Sequence, residues 1–391
     1  MSGRPLDLVI FGLSLSSAWG NGHATTYRAL IRGLAAEGHR VLFLERDAPW
    51  YAPHRDLPAP EFCEFELYDD LDRALDAHAA RIARADAVIV GTYVPEGAAL
   101  IDRLAARRPR RLCFYDIDTP VTLAGLARGE ETHLAARQVP EFDLYLSFSG
   151  GRALERLERS WGARRAEALF CAVDPELYRP TGEPPRWDLG YLGTYSPDRQ
   201  PMLERLLLAP ARARPDLRFV VAGPQYPDDI DWPANVERIE HLPPSEHAAF
   251  YSRQRLTLNV TRAAMVESGL SPSVRLFEAA ACGTPILSDP WEGIEALFPP
   301  GEAILLASSE AEALEALALD EGARAGIAER ARQIVLAAHT GQARARRLAE
   351  LIEEIPLPSP VPGAAGLRAP APGPGRRPVP AAEAVPQGDI Q

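Results

Sequence analysis

Short apolar segments alternate with amphipathic helical patterns along most of the chain, and this alternation constrains the fold more than any other feature. Such segments, bounded by turn residues, are typical of strands that are buried on both faces of a parallel sheet. The alternation occurs in two sets, so we expect an α/β protein with two parallel sheets, each covered by helices on both faces. The predicted strands are 6–11, 41–44, 64–68, 87–90, 111–115 and 144–148 in the first set, and 187–192, 218–222, 236–239, 256–260, 286–288 and 303–306 in the second.

Proline-rich segments divide the chain. Four prolines between positions 175 and 185 make this stretch a stiff connector, which is typical of a domain boundary. After Ile355 the chain has ten prolines among its last 36 residues and few apolar residues, a composition typical of disorder. The predicted organisation is an N-terminal domain 1–172, a C-terminal domain 173–340, a last helix 341–355 and a disordered tail 356–391.

The charged residues exclude several kinds of chemistry. The net charge of −12 disfavours a nucleic-acid partner, because a phosphate backbone needs a basic surface. All 42 basic residues are arginine, so no lysine can act as a phosphate-loop residue, a Schiff base or a general base. Any phosphate must therefore bind to guanidinium groups, backbone N–H groups or hydroxyls.

Cysteine spacing and hydropathy indicate the compartment. The four cysteines are scattered, lack the spacing of metal ligands and lie mostly in apolar segments, as buried thiols in a reducing compartment do. No apolar segment approaches the length of about 18 residues that a membrane span needs, and the N-terminus lacks a signal-peptide hydrophobic block. We therefore expect a cytoplasmic protein without a transmembrane segment.

The segment 271–285 has the pattern of a helix that can bind an anion. Ser271 is a good N-cap and Pro272 suits the first helical position, so we expect the helix to begin there. A helix N-terminus has unpaired N–H groups and about half a positive charge, and the hydroxyls of Ser271 and Ser273 lie at the same end. The segment therefore predicts a phosphate site.

Arg275 and Glu278 lie three positions apart in this predicted helix and share one of its faces. The anion site would then have a carboxylate one turn away, an arrangement that suits the diphosphate and the ribose of a nucleotide. Alternatively, the two residues form an ion pair on the surface of an ordinary capped helix.

A glycine-containing loop follows the first predicted strand, at the sheet edge where ligands bind in folds of this kind. Gly20, Asn21 and Gly22 form its tip, and the two glycines allow the backbone to approach a ligand closely. His23 follows at the start of a helix and is a candidate ligand contact. Alternatively, His23 caps the helix or faces solvent.

Asp116 and Asp118 follow another strand of the first half. Two carboxylates at a strand end suit a general base or the binding of hydroxyl groups. Alternatively, they belong to a turn, since aspartate and threonine before a proline favour turns. The pair also has the Asp-x-Asp spelling of metal-bound diphosphate sites, but it lies in the first half, so we interpret it as acceptor-side.

The second half has its own strand-end loops. Gly193, Thr194 and Tyr195 follow its first strand, Arg199 comes shortly after them, and Arg262 follows a later strand. In a chain without lysine, these two arginines are the obvious groups to neutralise a diphosphate. Alternatively, each is an ordinary surface arginine.

Four segments together resemble the CgeB-like spore-maturation glycosyltransferases, a group of the GT-B glycosyltransferases. They are 17–27 (SAWGNGHATTY), 114–120 (FYDIDTP), 187–199 (WDLGYLGTYSPDR) and 271–285, and the resemblance covers about residues 5–350. It implies two Rossmann-like domains that face a cleft, a nucleotide-sugar held mainly by the second domain, and a last helix that crosses back to the first.

The resemblance also implies roles for individual residues. It places the diphosphate against Ser271, Pro272 and Ser273, and the ribose against Glu278. The base would lie against the backbone of His241 and Leu242. The sugar would lie under the loop 20–23, and the acceptor beside Asp116 or Asp118.

The chain departs from the GT-B pattern at two points. Many retaining GT-B enzymes have a second glutamate, eight positions before the one that matches Glu278, and Leu270 stands there in this chain. That glutamate usually addresses the transferred sugar, so the sugar and the stereochemical course stay open. The usual arginine and lysine pair at the diphosphate cannot be complete, so Arg199 or Arg262 would have to serve.

The sequence thus predicts a metal-independent glycosyltransferase of the hexosyltransferase type that uses a nucleoside-diphosphate sugar as substrate, needs no cofactor and acts on an unidentified acceptor. For an inverting reaction, Asp118 is the first choice of base, with His23 second and Asp116 also a candidate. The alternatives are a nucleotide-sugar epimerase on the same fold and a non-catalytic nucleotide-sugar-binding protein. A nicotinamide oxidoreductase is disfavoured because the G-x-G-x-x-G fingerprint is missing.

Overall fold

Two parallel sheets organise the molecule, which this computed structural model describes for residues 4–19 and 22–356. The strands of the first sheet are β1 (Asp7–Gly12), β2 (Arg40–Arg46), β3 (Glu64–Tyr68), β4 (Ala87–Gly91), β5 (Leu112–Asp116), β6 (Leu144–Ser147) and β7 (Ala166–Ala168). Those of the second are β8 (Trp187–Leu192), β9 (Phe219–Ala222), β10 (Val236–Ile239), β11 (Gln254–Asn259), β12 (Ile286–Ser288) and β13 (Leu305–Leu306). We call each sheet with the helices that follow its strands a lobe, first and second in chain order.

Helices cover both sheets. Those of the first lobe are α1 (His23–Ala36), α2 (Leu71–Ala77), α3 (Ala79–Arg84), α4 (Gly97–Arg107), α5 (Thr119–Ala127) and α6 (Arg152–Arg159). Those that follow are α7 (Gln200–Leu203), α8 (Ala209–Ala213), α9 (His247–Ser252), α10 (Ala263–Ser268), α11 (Val274–Ala281), α12 (Ile294–Leu297), α13 (Glu310–Ala318), α14 (Glu321–Ala338) and α15 (Gly341–Glu354). A π-helical turn, Glu204–Leu208, joins α7 to α8.

Each sheet reverses its strand order beside its first strand. The spatial orders are β3-β2-β1-β4-β5-β6-β7 and β10-β9-β8-β11-β12-β13, with parallel pairing throughout. In open parallel sheets, ligands bind at such a reversal, beyond the carboxyl ends of the strands. The reversals therefore put the ligand sites of this molecule at the ends of β1 and β4 and at the ends of β8 and β11.

Apolar side chains fill the space on both faces of each sheet. In β1, Val9 and Phe11 belong to one buried cluster, whereas Leu8 and Ile10 belong to another. In β9, Val220 packs on one face of the second sheet and Val221 on the other. Since strands without a polar face must be covered twice, the predicted α/β fold with two helix-covered parallel sheets is confirmed.

The last helix leaves the second lobe and packs on the first. Gly33 of α1 lies against Gly341 of α15 so closely that a Cβ on Gly33 would be 2.3 Å from the Gly341 carbonyl oxygen. Arg111 donates from Nε and Nη2 to the Ile355 carbonyl, at 3.0 and 2.7 Å, and so holds the end of the helix against the first sheet. The predicted crossing of the last helix is confirmed.

Other sequence predictions meet mixed outcomes. The short strand β7 and helix α5 were not predicted, because the first has only three residues and the second begins with a Thr-Pro pair that resembles a turn. Among the helices of residues 4–19 and 22–356, none combines the length and hydrophobicity that a bilayer crossing needs. The tail from residue 357 onward lies outside the described residues, and the domain boundaries stay a prediction.

Candidate active site

A cleft lies between the lobes, at the carboxyl ends of both sheets. It encloses about 990 Å³ of space when the solvent at its open mouth is included. Gly22, His23 and Asp118 line the wall formed by the first lobe, whereas Arg262 and Glu278 line the wall formed by the second. The structure thus brings together residues that are far apart in the chain.

Helix α11 presents its N-terminus to the cleft, but it begins later than the sequence predicts. Ser273 is the N-cap, and Val274 is the first helical residue. Ser271 is fully buried, and its hydroxyl lies 2.6 Å from the Ser149 hydroxyl of the first lobe, so it links the lobes instead of capping the helix. The predicted start at Ser271 is wrong for this reason, although Pro272 and Ser273 do line the cleft.

Asn259, the last residue of β11, organises the start of this helix. Its side-chain carbonyl accepts hydrogen bonds from the Ser273 hydroxyl at 3.0 Å and from Arg275 Nη1 at 3.1 Å. Arg275 also donates from Nε to the Leu192 carbonyl at 2.5 Å, so two strand ends hold its guanidinium in the cleft wall. Because Arg275 and Glu278 are both buried, the alternative of a surface ion pair is wrong.

Three guanidinium groups meet beside this helix end. Arg199 is 4% exposed and donates from Nη2 to the Thr194 carbonyl at 2.6 Å, while its Nε has no hydrogen-bond partner in the described ranges. Burial lowers the pKa of Arg199, and the nearby charges of Arg275 and Arg262 lower it further. The alternative of a surface residue is therefore wrong for Arg199. Like charges held together in a buried site gain stability when an anion binds.

The loop that follows β8 lets these arginines pack closely. A Cβ on Gly193 would lie 2.8 Å from Arg275 Nη2 and 2.7 Å from the Tyr191 hydroxyl, so only glycine fits there without a shift. The Gly193 carbonyl accepts a hydrogen bond from the Tyr226 hydroxyl at 3.1 Å, and the ring of Tyr195 packs edge-on against Tyr226. Gly193, together with Thr194 and Tyr195, thus lies behind the arginines rather than on the cleft surface.

Glu278 lies deeper along the same wall. It is 5% exposed, and its Oε2 accepts a hydrogen bond from the Tyr251 hydroxyl at 3.1 Å. Burial raises the pKa of Tyr251 and of Tyr178, and the Glu278 charge raises both further, so both tyrosines keep their protons beside this carboxylate. Tyr178 also hydrogen-bonds to this carboxylate, and because Glu278 lines the cleft, the carboxylate is placed to accept a further hydrogen bond from a ligand hydroxyl.

His247 connects this carboxylate site to the segment predicted to contact a base. Its Nδ1 lies 3.3 Å from the Tyr178 hydroxyl, and its Nε2 lies 3.3 Å from the Leu242 carbonyl. His247 lines the cleft, whereas His241 is exposed. Sequence reasoning missed His247, and the only signal was its position at the start of a helix after the predicted base segment.

The two aspartates of the first lobe have different surroundings. Asp116 is fully buried and accepts hydrogen bonds from the Tyr145 hydroxyl at 2.7 Å and the Thr92 hydroxyl at 3.0 Å, as well as from the Asp118 backbone N–H and the Thr122 hydroxyl. It therefore supports the loop instead of facing an acceptor, and this part of the prediction is wrong. Asp118 lines the cleft, and burial raises its pKa to about 6.

His23 is a neutral imidazole that faces the cleft. It is the first residue of α1 and is fully buried, and neither ring nitrogen has a hydrogen-bond partner among the described residues. Burial lowers its pKa to about 3, with a smaller contribution from His133. A buried polar group without a partner is costly, so both nitrogens are available to a ligand in the cleft, and the predicted ligand contact of His23 stays a prediction. The alternatives of a cap or a solvent-facing residue are wrong.

The loop tip before His23 is described only in part. Gly20 and Asn21 lie outside the described residues, and Gly22 is the N-cap of α1 and lines the cleft. Glu45 fixes the preceding stretch, since its buried carboxylate accepts from the backbone N–H groups of Leu15 and Ser16 at 2.6 and 2.9 Å.

No cluster of residues that could hold a metal ion occurs within 4–19 and 22–356. Another Asp-x-Asp triplet, 229–231, lies in the second lobe before β10, but it does not line the cleft. Its Asp231 side chain is 93% exposed and lies 3.7 Å from Arg212. Whether catalysis needs a metal stays open, and metal independence stays a prediction.

The two Rossmann-like lobes, the cleft between them and the crossing last helix define a GT-B fold. Residues 199–350 match the protein family described as glycosyl transferase-like, a match that covers most of the second lobe and the last helix. No curated protein matches the chain.

Solved structures of the same fold cover nearly the whole chain. A sucrose-phosphate synthase from Thermosynechococcus elongatus is 15% identical, covers 90% of this chain and 99% of its own, and has a TM-score of 0.65. An alpha-glucosyltransferase in complex with UDP-glucose and DNA is 14% identical, with coverages of 90% and 100% and a TM-score of 0.66. HepE of Anabaena, in complex with UDP and glucose, is 14% identical, with coverages of 89% and 99% and a TM-score of 0.61.

Proposed function

We propose that this protein is a metal-independent hexosyltransferase of the CgeB-like group, which transfers a sugar from a nucleoside-diphosphate sugar to an acceptor hydroxyl. The main observation is the second lobe's wall, where Arg262 and Arg275 line the cleft with the N-terminus of α11 and Glu278, and the buried Arg199 lies near enough for their charges to lower its pKa. The glycosyl transferase-like family match falls on the same lobe and supports this proposal.

The donor would lie along this wall. The diphosphate would contact the guanidinium groups and the N–H groups at the start of α11, and the Glu278 carboxylate would accept a hydrogen bond from a ribose hydroxyl. When the bond between sugar and diphosphate breaks, negative charge grows on the departing phosphate. Guanidinium groups that are already in place stabilise this charge without reorganisation, which lowers the barrier.

The acceptor would bind at the first lobe's wall. In an inverting reaction Asp118 takes the proton of the acceptor hydroxyl, because it lines the cleft and its raised pKa brings it closer to neutral. His23, which stays neutral, would exchange hydrogen bonds with a sugar hydroxyl. A retaining reaction does not need a base at that position. The net charge of −12 argues against a nucleic-acid acceptor, although the alpha-glucosyltransferase of the same fold named above is in complex with DNA.

Uridine diphosphate is the first ligand to test, since the neighbours named above include complexes with UDP or UDP-glucose. Thermal-shift titrations should compare the diphosphates of uridine, guanosine, thymidine and adenosine, alone and as sugar conjugates. We expect the nucleotides of one of these four nucleosides to raise the melting temperature of the wild type. Arg199→Ala and Arg262→Ala should each weaken its binding by about 10- to 100-fold, since a hydrogen bond to a charged group contributes about 1.5–3 kcal/mol.

The matched control is Arg330→Ala, which removes an exposed arginine of α14 that lies outside the cleft. It should bind the same diphosphate as the wild type does. The proposed donor site is wrong if no diphosphate binds, or if both Arg199→Ala and Arg262→Ala bind it as tightly as Arg330→Ala does.

A further inference from the structure

Tyr93, in the loop that follows β4, holds one oxygen of the Asp118 carboxylate. Its hydroxyl donates a hydrogen bond to Asp118 Oδ2 at 2.8 Å, and Tyr93 itself does not line the cleft. The other oxygen, Oδ1, accepts no hydrogen bond from any residue of the described ranges. The carboxylate is thus held on one side and open on the other.

We propose that Tyr93 is a positioning residue, which binds Asp118 Oδ2 so that Oδ1 receives the proton of the acceptor hydroxyl. This inference rests on the proposed function. In the step, the acceptor oxygen forms a bond to the anomeric carbon, and the bond from that carbon to the diphosphate breaks with its electron pair on the diphosphate. The acceptor proton moves to Oδ1, and Tyr93 keeps its own proton.

The backbone of Tyr93 supports a dedicated role. Its φ angle is +59°, in the left-handed region that a bulky side chain rarely adopts. Such a conformation persists only where the surroundings hold it, and it occurs often at functional sites. The left-handed conformation is unfavourable for tyrosine, and it accompanies the hydrogen bond from the Tyr93 hydroxyl to Asp118.

The ring of Tyr93 is held on several sides. It packs edge-on against His133 with 4.7 Å between ring centroids, and it lies 5.6 Å from the ring of His23. It also packs against a small buried cluster of Leu13, Ala48 and Tyr51. Since these contacts come from separate segments of the first lobe, the hydroxyl has little freedom to leave the carboxylate.

The charged groups around Asp118 come from both lobes. Asp116 lies beneath it in the first lobe and raises its pKa, whereas the Tyr93 hydroxyl and the Arg262 charge across the cleft lower it. Both neighbouring imidazoles are neutral, because burial lowers the pKa of His133 to about 4 and that of His23 to about 3. Burial and the Asp118 charge raise the pKa of Tyr93 well above its ordinary value, so the tyrosine remains a donor.

The proton affinity of Asp118 itself provides the test. Protein labelled with ¹³C at the aspartate carboxyl carbon would be titrated by NMR, with the Asp118 signal assigned by its loss in Asp118→Asn. Tyr93→Phe removes a donor to the ionised carboxylate, so the pKa of Asp118 should rise by about half a unit to one unit. The control Tyr68→Phe also removes a buried tyrosine hydroxyl of the first lobe, but one without a hydrogen-bond partner among the described residues. It should leave the Asp118 titration unchanged.

An unchanged Asp118 titration in Tyr93→Phe would overturn the inference, as would an equal shift in Tyr68→Phe. The acid limb of uridine-diphosphate release from the preferred donor should move to higher pH by the same amount as the Asp118 titration. A loss of turnover without that movement would show a structural role only.

Binding of uridine diphosphate should persist in Tyr93→Phe. If the wild type binds no diphosphate, the proposed function fails, whereas the titration result still decides the coupling of Tyr93 to Asp118.

Discussion

The two walls of the cleft use different kinds of polar group. The second lobe's wall has guanidinium groups, which stay charged at every physiological pH, and these are held by strand-end carbonyls and by Asn259. The first lobe's wall has His23, which burial keeps neutral, and Asp118, whose pKa burial raises to about 6. A permanent positive charge suits the binding of a diphosphate, whereas a titratable carboxylate suits the movement of a proton. The difference teaches that binding and proton transfer can be changed separately.

The largest expected effect is a loss of turnover without a loss of diphosphate binding, which distinguishes the role of the first lobe's wall from that of the second. Asp118→Asn removes the proposed base without changing the shape of the first lobe's wall. Turnover with the preferred donor should fall by about 10²- to 10⁴-fold, the usual contribution of a general base, while the dissociation constant of uridine diphosphate stays within about twofold of the wild type. Single-turnover kinetics and calorimetry measure the two quantities. Normal turnover in Asp118→Asn would show that Asp118 is not the base and would favour a retaining course.

A substitution behind the second lobe's wall should weaken binding of the diphosphate without changing the pH dependence of turnover. Gly193→Ala puts a Cβ 2.8 Å from Arg275 Nη2, so this guanidinium must shift within the cleft wall. We expect binding of uridine diphosphate to weaken by about tenfold, in line with the loss of one charge-assisted hydrogen bond, while the pH of half-maximal turnover stays constant. Gly326→Ala on α14, where a Cβ meets nothing within 4 Å, is the control. Equal binding in both variants would contradict the role given to Arg275.

The last expected effect concerns the stability of the fold, not ligand binding or turnover. The pKa of Asp118 is raised in the folded protein, so folding favours its protonated form, and ionisation destabilises the fold as pH rises through about 6. At neutral pH, Asp118→Asn should therefore increase the free energy of unfolding by about 1–3 kcal/mol, and the gain should disappear below about pH 4. Urea titrations at pH 7.5 and pH 4 would measure this difference. A variant that is less stable than the wild type at neutral pH would show that the carboxylate holds the loop together.

The sequence allowed the fold to be predicted more fully than the site. The strands of both sheets are short apolar segments, so periodicity alone located nearly all of them, and only elements such as β7 were too short to recognise. His23 and Arg262 were found because each follows a predicted strand, whereas Glu278 was found from its place in the predicted anion-binding helix.

Other residues of the site could not be assigned from the sequence because their roles depend on contacts between distant segments. Ser271 is a residue type that often caps helices, but its hydroxyl donates a hydrogen bond to the Ser149 hydroxyl of the first lobe. Asp116 and Asp118 look equivalent in the sequence, yet four donors from the fold surround only the first. Tyr93 has no motif at all, and only the packing of its ring brings it to Asp118.

The crossing of α15 sets an order of assembly. Leu348, Leu351 and Ile352 of this helix share a buried cluster with Leu8 and Ile10 of β1, a strand that is synthesised before the second lobe. This part of the first lobe's core is therefore synthesised with its apolar surface uncovered. The residues of α15 that cover it are synthesised only after the whole second lobe. Domains generally fold as units in the order of their synthesis, but this layer of the first lobe is completed only after the second lobe has been made.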